Sequence, residues 1–210
     1  MHSPGKLVEF KDRQDVVRAL RWPSECISPE DAQFFDVLRY WESLRRGGLL
    51  PEPRAIDPIM LKPVLGWVHK VDTSDPDPRN YFFRLWGSNV GLEQYVPFKG
   101  MRVSEYPSTP YRDAVMQDYH DVVGSGVPAY QQVLATLRYR EYAYGRLILP
   151  LAADGRRVTQ LLVCVHDRPA ETLSERVTGG TWVMRSGTRA DETSSHSTQR
   201  FAIIDGGKRH

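Results

Sequence analysis

Three histidines occupy positions where an imidazole could do chemistry in the folded chain. His69 and His166 lie in the first and last of five candidate strands, and His120 lies in a candidate helix. An imidazole can bind a metal, transfer a proton or respond to pH. A metal site needs three or four ligands, and no cysteine or acidic residue has an obvious place beside His69 and His166. The sequence therefore predicts two ordinary strand histidines and no metal site.

The usual sequence motifs of catalysis are missing. The chain contains no Gly-x-Ser-x-Gly, His-Glu-x-x-His or phosphate-binding glycine motif. Its single Ser-His pair, Ser195-His196, lies in a polar tail where no neighbouring element would hold it rigidly. Acidic residues are common, but they stand in helix caps, turns and solvated faces. We predict no catalytic residues and no enzyme activity.

Charge argues against a nucleic-acid partner. Lys and Arg number 28 and Asp and Glu number 26, so the formal net charge is only +2. A protein that binds nucleic acid mainly by bulk charge needs a strong basic excess. The arginine clusters at 45–46, 138–140 and 156–157 fall at a helix end, a strand end and a turn, where solvated charges are normal.

The composition predicts a soluble cytoplasmic protein. Among 210 residues, 40% are hydrophobic, and no run approaches the roughly 18 apolar residues of a membrane span. The first ten residues lack the apolar core of a signal peptide. Cys26 and Cys164 are too few and too far apart to indicate a disulfide framework.

The helices and strands that would position a site occur along the chain in an order typical of an α+β fold. Ser28-Pro29 begins an amphipathic helix whose apolar stripe includes Phe34, Leu38 and Trp41, and Gly47-Gly48 ends it. A second long helix begins at Thr109-Pro110. Strand patterns cover residues 66–72, 81–86, 130–137, 142–151 and 157–166. We divide the chain into an N-terminal extension (1–27), one domain (28–167) and a partly disordered C-terminal tail (168–210).

Six segments of the domain carry a family resemblance. They are Phe35-Asp36-Val37-Leu38-Arg39-Tyr40-Trp41, Leu50-Pro51, Ile56-Asp57-Pro58, Tyr81-Phe82-Phe83-Arg84-Leu85-Trp86-Gly87, Phe98-Lys99-Gly100-Met101-Arg102 and Leu147-Ile148-Leu149-Pro150-Leu151-Ala152. In this order, over residues 30–167, they resemble a divergent bacterial PAS-domain family. The resemblance implies a five-stranded antiparallel sheet with the helices on one face and an N-terminal amphipathic helix. It also implies neighbouring first and last strands, so that His69 and His166 could approach each other.

The resemblance raises haem as a candidate, because some PAS proteins ligate haem through a histidine of the long helix. At 100° per residue, His120 lies roughly 140° from the centre of the apolar stripe near Val115. The sequence therefore places His120 toward solvent. Strand alternation likewise places Arg84 on the outer face with Phe82 and Trp86, as a structural residue. No cofactor is indicated.

The resemblance also implies a pocket between sheet and helices. Alternation directs Tyr81, Phe83 and Leu85 inward. The predicted lining is Tyr81, Phe83, Leu85, Tyr119, Leu147 and Leu149. Such a lining suits a small apolar or aromatic ligand held by one or two hydroxyls. The alternative, which strand periodicity does not separate from it, is that these side chains simply fill the core.

These patterns lead to two functional hypotheses. The first is a non-enzymatic sensory or regulatory module that binds a small ligand or a protein partner, as a homodimer joined through Phe34, Leu38 and Trp41. The second is an enzyme or a carrier of a hydrophobic small molecule on another small α+β fold with a cavity. Strand order separates them, because a PAS domain places its first strand centrally and beside its last.

Overall fold

The computed structural model describes residues 6–23, 26–90, 98–168 and 182–184. The two α-helices are α1 (Gln33–Ser43) and α2 (Thr109–Ser125). The strands are β1 (Lys6–Lys11), β2 (Val16–Pro23), β3 (Val68–Asp72), β4 (Phe82–Leu85), β5 (Ala129–Leu137), β6 (Arg140–Leu151), β7 (Gln160–Arg168) and β8 (Trp182–Met184). Short 3₁₀ helices cover Pro29–Asp31, Pro53–Ala55, Pro58–Val64, Pro78–Asn80 and Val103–Glu105. None of the helices in these ranges is long and apolar enough to cross a membrane.

All eight strands belong to one sheet, in the order β4-β3-β7-β6-β5-β2-β1-β8. Neighbouring strands pair antiparallel, except that β8 runs parallel to β1. The α+β prediction is confirmed, although the described sheet has eight strands rather than five. The first predicted strand, β3, lies between β4 and the last predicted strand, β7. This order matches the PAS expectation and contradicts the alternative cavity fold with a closed barrel.

The additional strands come mainly from the predicted N-terminal extension. Strands β1 and β2 form a hairpin, and β2 pairs with β5 along its whole length. Val17 and Ala19 of β2 are buried in the core, so this hairpin is part of the same sheet. We predicted no strands there because the segment is mixed and polar in overall composition. Strand β8 falls within the predicted C-terminal tail, and most of that tail lies outside the described residues.

The sheet has a covered face on each side, and strand alternation separates them. On one side, which we call the α2 face, Tyr144, Arg146 and Ile148 of β6 point toward helix α2. On the other, the α1 face, Leu147 and Leu149 of the same strand pack beneath helix α1. Helix α2 and the short helix at Val103–Glu105 bury their apolar side chains on one face, and the predicted N-terminal amphipathic helix, α1, covers the opposite face.

Helix α1 buries the stripe that we predicted as a dimer interface. Phe34, Leu38 and Trp41 are at most 6% exposed and pack on the α1 face of their own sheet. The Trp41 indole Nε1 donates a hydrogen bond of 3.0 Å to the carbonyl oxygen of Pro150 in β6. The prediction that these three residues join two copies is wrong, because intramolecular packing already covers them.

The start of helix α1 is anchored by a buried carboxylate. Asp31 is fully buried and accepts a 2.6 Å hydrogen bond from the Tyr130 hydroxyl, and it also pairs with Arg168. His166 Nδ1 lies 2.8 Å from Asp31 Oδ1. Gly145 of β6 lies directly against this carboxylate, and a Cβ atom there would overlap it. The cluster joins the N-terminal end of α1 to the C-terminal end of β7.

Candidate ligand cavity

A cavity lies between helix α2 and the sheet, with about 350 Å³ of space between its lining atoms, part of it open solvent. The part of this space that a water molecule can enter has room for roughly one or two waters. The lining is mostly aromatic: His69, Trp86, Tyr106, Tyr111, Tyr119 and Tyr144. Val90, Arg146 and Val165 also line the cavity, and so does Asp167, which is exposed. The cavity therefore combines aromatic rings with a cation.

Arg146 is the buried cation of this wall. Its Nε and Nη2 donate hydrogen bonds of 2.9 and 2.6 Å to Gln131 Oε1 in β5, and Nη2 also pairs with Asp118 of α2. Its guanidinium carbon lies 5.6 Å from the ring centroid of Tyr119 and 5.9 Å from that of Tyr144. Burial opposes its charge, but the groups around it, Tyr144 and Asp118 among them, together raise the pKa of Arg146. The side chain is therefore held as a cation.

Asp118 forms ion pairs with two arginines. This buried carboxylate pairs with Arg146 on the cavity side and with Arg21 of β2 on the other. Arg21 also reaches the exposed Asp121 at 3.3 Å, but its Nε has no hydrogen-bond partner among the described residues. Buried charges are normally paired, because desolvation without a partner is costly. Two guanidinium groups thus share one buried carboxylate.

The tyrosines supply neutral hydroxyl groups. The hydroxyl oxygens of Tyr111 and Tyr144 lie 3.0 Å apart and form a hydrogen bond. Burial is the largest cause that raises the pKa of Tyr106, Tyr111, Tyr119 and Tyr144. These hydroxyls therefore stay protonated across physiological pH, and each can donate or accept a hydrogen bond.

His69 contributes a neutral imidazole. It is 3% exposed, and its ring stacks on Trp86 with a centroid distance of 4.0 Å. Burial and the nearby charge of Arg146 lower the pKa of His69 to about 3. Its Nδ1 is buried and has no hydrogen-bond partner within the described part of the chain. A ligand in the cavity can provide that missing partner.

The buried imidazole predicts a pH dependence of stability. In the unfolded chain the pKa of histidine is about 6.5, so between pH 6.5 and 3 only the unfolded chain binds this proton. The stabilising contribution is complete above pH 6.5 and falls as the pH drops. His69→Phe should reduce the loss of unfolding free energy between pH 6.5 and about 5, by up to about 1.4 kcal/mol per pH unit. Urea denaturation at each pH measures this slope.

His120 provides the matched control for this experiment, because it is exposed on α2, as the sequence predicted. His120→Gln should leave the pH slope of the unfolding free energy unchanged. If His69→Phe and the unmodified protein lose stability at the same rate, the folded protein does not exclude the proton from His69.

Comparison with models of protein families identifies the family of the chain. A family model described as PAS domain matches residues 30–165. The chain belongs to the PAS domain family. No curated protein and no solved structure matches the chain significantly. Membership confirms the predicted resemblance and supports a general sensory or regulatory role. The β1–β2 hairpin lies outside the matched residues.

The structure of this PAS domain separates the six predicted pocket residues. Tyr119 lines the cavity, and Tyr81 and Phe83 are buried on the same α2 face without lining it. Leu147 and Leu149 lie on the α1 face, on the far side of the sheet from the cavity. Their predicted place in the pocket is wrong. Strand alternation separates them from Arg146, but it does not indicate which set faces α2.

Leu85 is also outside the pocket, because it is 45% exposed. The pairing of β3 with β4 shifts register between Lys70 and Val71, and β4 ends at Leu85. Trp86, which follows it, therefore turns to the cavity and stacks on His69. Arg84 pairs with Asp72 through a 2.7 Å contact, in agreement with a structural role.

Sequence reasoning missed the polar part of this PAS cavity. Arg146 received no role, although a charged residue between Tyr144 and Ile148 in an apolar strand is a signal for a buried functional group. His69 was placed near His166, but His69 faces the cavity and His166 faces Asp31 on the α1 face. Across the described residues, no group of three His, Cys, Asp or Glu side chains could hold a metal ion.

Proposed function

We propose that this PAS domain is a non-enzymatic sensory or regulatory module that binds a small molecule in the cavity beneath α2. The observation that carries the proposal is the buried Nδ1 of His69, which lies in the cavity wall and has no hydrogen-bond partner among the described residues. A buried polar atom without a partner costs about 1–3 kcal/mol. A core with no ligand to bind would more readily fill this space with apolar side chains. A ligand that hydrogen-bonds His69 removes the cost.

The lining favours a polar aromatic ligand over a purely apolar one. Four tyrosine hydroxyls, one imidazole and one guanidinium border the space, and a hydrocarbon would leave the buried Nδ1 of His69 without a partner. The flat rings of Trp86 and Tyr106 suit a planar body. The ligand is small, because the unfilled space is small before any side chain moves. We therefore propose a small planar molecule with at least one hydrogen-bonding group.

The pKa values of the buried groups support binding rather than catalysis. An efficient acid or base has a pKa near the working pH. The pKa of His69 is lowered to about 3, and burial raises the pKa of Tyr106 and Tyr111 well above its usual value. None of these groups would exchange protons readily near neutral pH.

A homodimer remains part of the proposal, with a different contact surface. Ile59, Met60 and Leu65 are exposed apolar side chains of one short segment at and just after the 3₁₀ helix Pro58–Val64. Exposed apolar clusters are typical of protein contacts. We propose that a second copy covers them. Leu65→Glu should then convert a dimer to a folded monomer in sizing chromatography, and an unchanged dimer would exclude this surface.

The ligand proposal is tested by native mass spectrometry of the purified protein, with thermal shifts over a panel of small aromatic metabolites. We expect a retained mass or a rise in melting temperature with at least one compound. Val165→Phe fills the cavity from its wall and should abolish the shift. Val127→Phe adds the same ring at an exposed position and should preserve it. A clean apo mass with no shift across the panel would overturn the proposal.

A further inference from the structure

We infer that the ligand of this cavity is an anion: a small planar carboxylate whose charged group binds the guanidinium of Arg146. The inference rests on the proposed function, since it assigns the chemical class of a molecule bound beneath α2. A guanidinium binds carboxylates through charge-assisted hydrogen bonds. Because Nε and Nη2 of Arg146 already bond Gln131 and Asp118, the ligand must bond the remaining nitrogen, Nη1, or replace one of these partners.

The charges around the cavity leave a buried positive excess. Arg146 and Arg21 are both largely buried, and they share the single buried carboxylate of Asp118. Asp121 is about half exposed; it lies 3.3 Å from Arg21 and accepts a 2.6 Å hydrogen bond from Gln117. The Nε of Arg21 has no partner in the described residues. One further negative charge beside Arg146 would balance the two guanidinium groups.

The other groups of the wall are compatible with an anion. His69 is neutral, and Arg146 is one cause of the lowered pKa, so the same positive potential that disfavours an imidazolium favours an anion. The tyrosine hydroxyls are protonated and can donate to carboxylate oxygens. Asp167 is the acidic residue of the lining; it is exposed in part, and desolvation raises the pKa of its carboxyl. Solvent screens part of its repulsion.

The aromatic lining also raises the opposite possibility, a cationic ligand. Cages of tyrosine and tryptophan bind quaternary ammonium groups through their ring faces. In this cavity, however, the guanidinium carbon of Arg146 already lies within 6 Å of the centroids of the Tyr119 and Tyr144 rings. A second cation would meet like charge in a buried site. The observations therefore favour an anion.

The experiment uses the full chain and probes of matched shape. Calorimetric titration compares benzoate with its neutral isostere benzamide and with benzylammonium, and formate and acetate test whether the present space takes only a smaller carboxylate. We expect a carboxylate to bind at least about tenfold more tightly than benzamide, a difference of about 1.4 kcal/mol. Benzylammonium should not bind. Val165→Phe should abolish carboxylate binding, and Val127→Phe should preserve it.

A second set of variants tests the role of Arg146 directly. Arg146→Gln combined with Asp118→Asn removes both buried charges together, so no carboxylate is left unpaired beside the cavity. This variant should lose the preference for carboxylate over benzamide, with circular dichroism confirming its fold. If it does not fold, the isostere comparison on the unmodified chain decides the inference alone.

The two proposals fail in distinguishable ways. If benzamide or benzylammonium binds as tightly as every carboxylate and Val165→Phe blocks it, the cavity binds a ligand but the anion inference is overturned. If Val165→Phe leaves carboxylate binding intact, the anion binds elsewhere and the inference also fails. If neither these probes nor the metabolite panel binds, the ligand function itself is overturned.

Discussion

Gly145→Ala is expected to lower the free energy of unfolding by about 3–5 kcal/mol, the range for disrupting a buried ion pair. The added Cβ would overlap the carboxylate of Asp31. A side-chain end often moves aside at little cost, but this one is held by Tyr130, Arg168 and His166. Moving it would leave the buried Arg168 without its main partner. Urea denaturation measures the loss.

Gly124→Ala is the matched control, because a Cβ at that position of α2 has no atom within 4 Å. Alanine in a helix should raise stability by about 0.5–1 kcal/mol. Combining Gly145→Ala with Asp31→Ala should cost less than the sum of the single changes, because the overlap disappears. Additive costs, or a harmless Gly145→Ala, would show that Asp31 does not occupy this position.

Trp41→Ala is expected to destabilise the protein by about 3–5 kcal/mol, the usual cost of removing a buried large aromatic side chain. Trp41 of α1 is 1% exposed, and its indole donates a hydrogen bond to the carbonyl oxygen of Pro150. The substitution leaves a cavity and a buried carbonyl oxygen without that donor. Phe35→Ala, on the exposed side of the same helix, should cost less than about 1 kcal/mol.

The same pair of variants distinguishes a core role from an interface role for α1. If Trp41 packs on its own sheet, Trp41→Ala lowers the denaturation midpoint and leaves the oligomeric state of the folded fraction unchanged. The opposite outcome is that the unmodified protein is a dimer and Trp41→Ala is a folded monomer of unchanged stability. That result would contradict the structure and restore the interface prediction.

Local signals in the sequence predicted the elements well, because short-range chemistry determines them. Pro110 stands in the first turn of α2, Ser108 caps its N-terminus, and Gly126 ends it in a left-handed conformation. The Thr109-Pro110 pair in the sequence therefore predicted the start of α2 correctly. The strands β3 to β7 were also located within a few residues. Their order, together with the family segments, was sufficient to predict the PAS fold.

The hairpin of β1 and β2 was missed for a different reason. Its residues are mixed in composition, and only pairing with β5 makes Val17 and Ala19 part of the core. Strand pairing across more than 100 residues leaves little trace in the local pattern, because the edge of the sheet is completed by a distant segment. Val17 and Ala19 are buried because β2 pairs with β5, and no pattern within β2 itself indicates this burial.

The sequence by itself determined the α+β class, the PAS family and the alternation of side chains along each strand. Only the tertiary structure decided which set of alternating residues faces which helix. In β6, alternation separates Leu147 and Leu149 from Arg146, but packing places α1 over the first set and α2 over the second. The reason is that strand period is a local property, whereas the choice of face depends on long-range contacts. The cavity and its buried guanidinium follow from that choice.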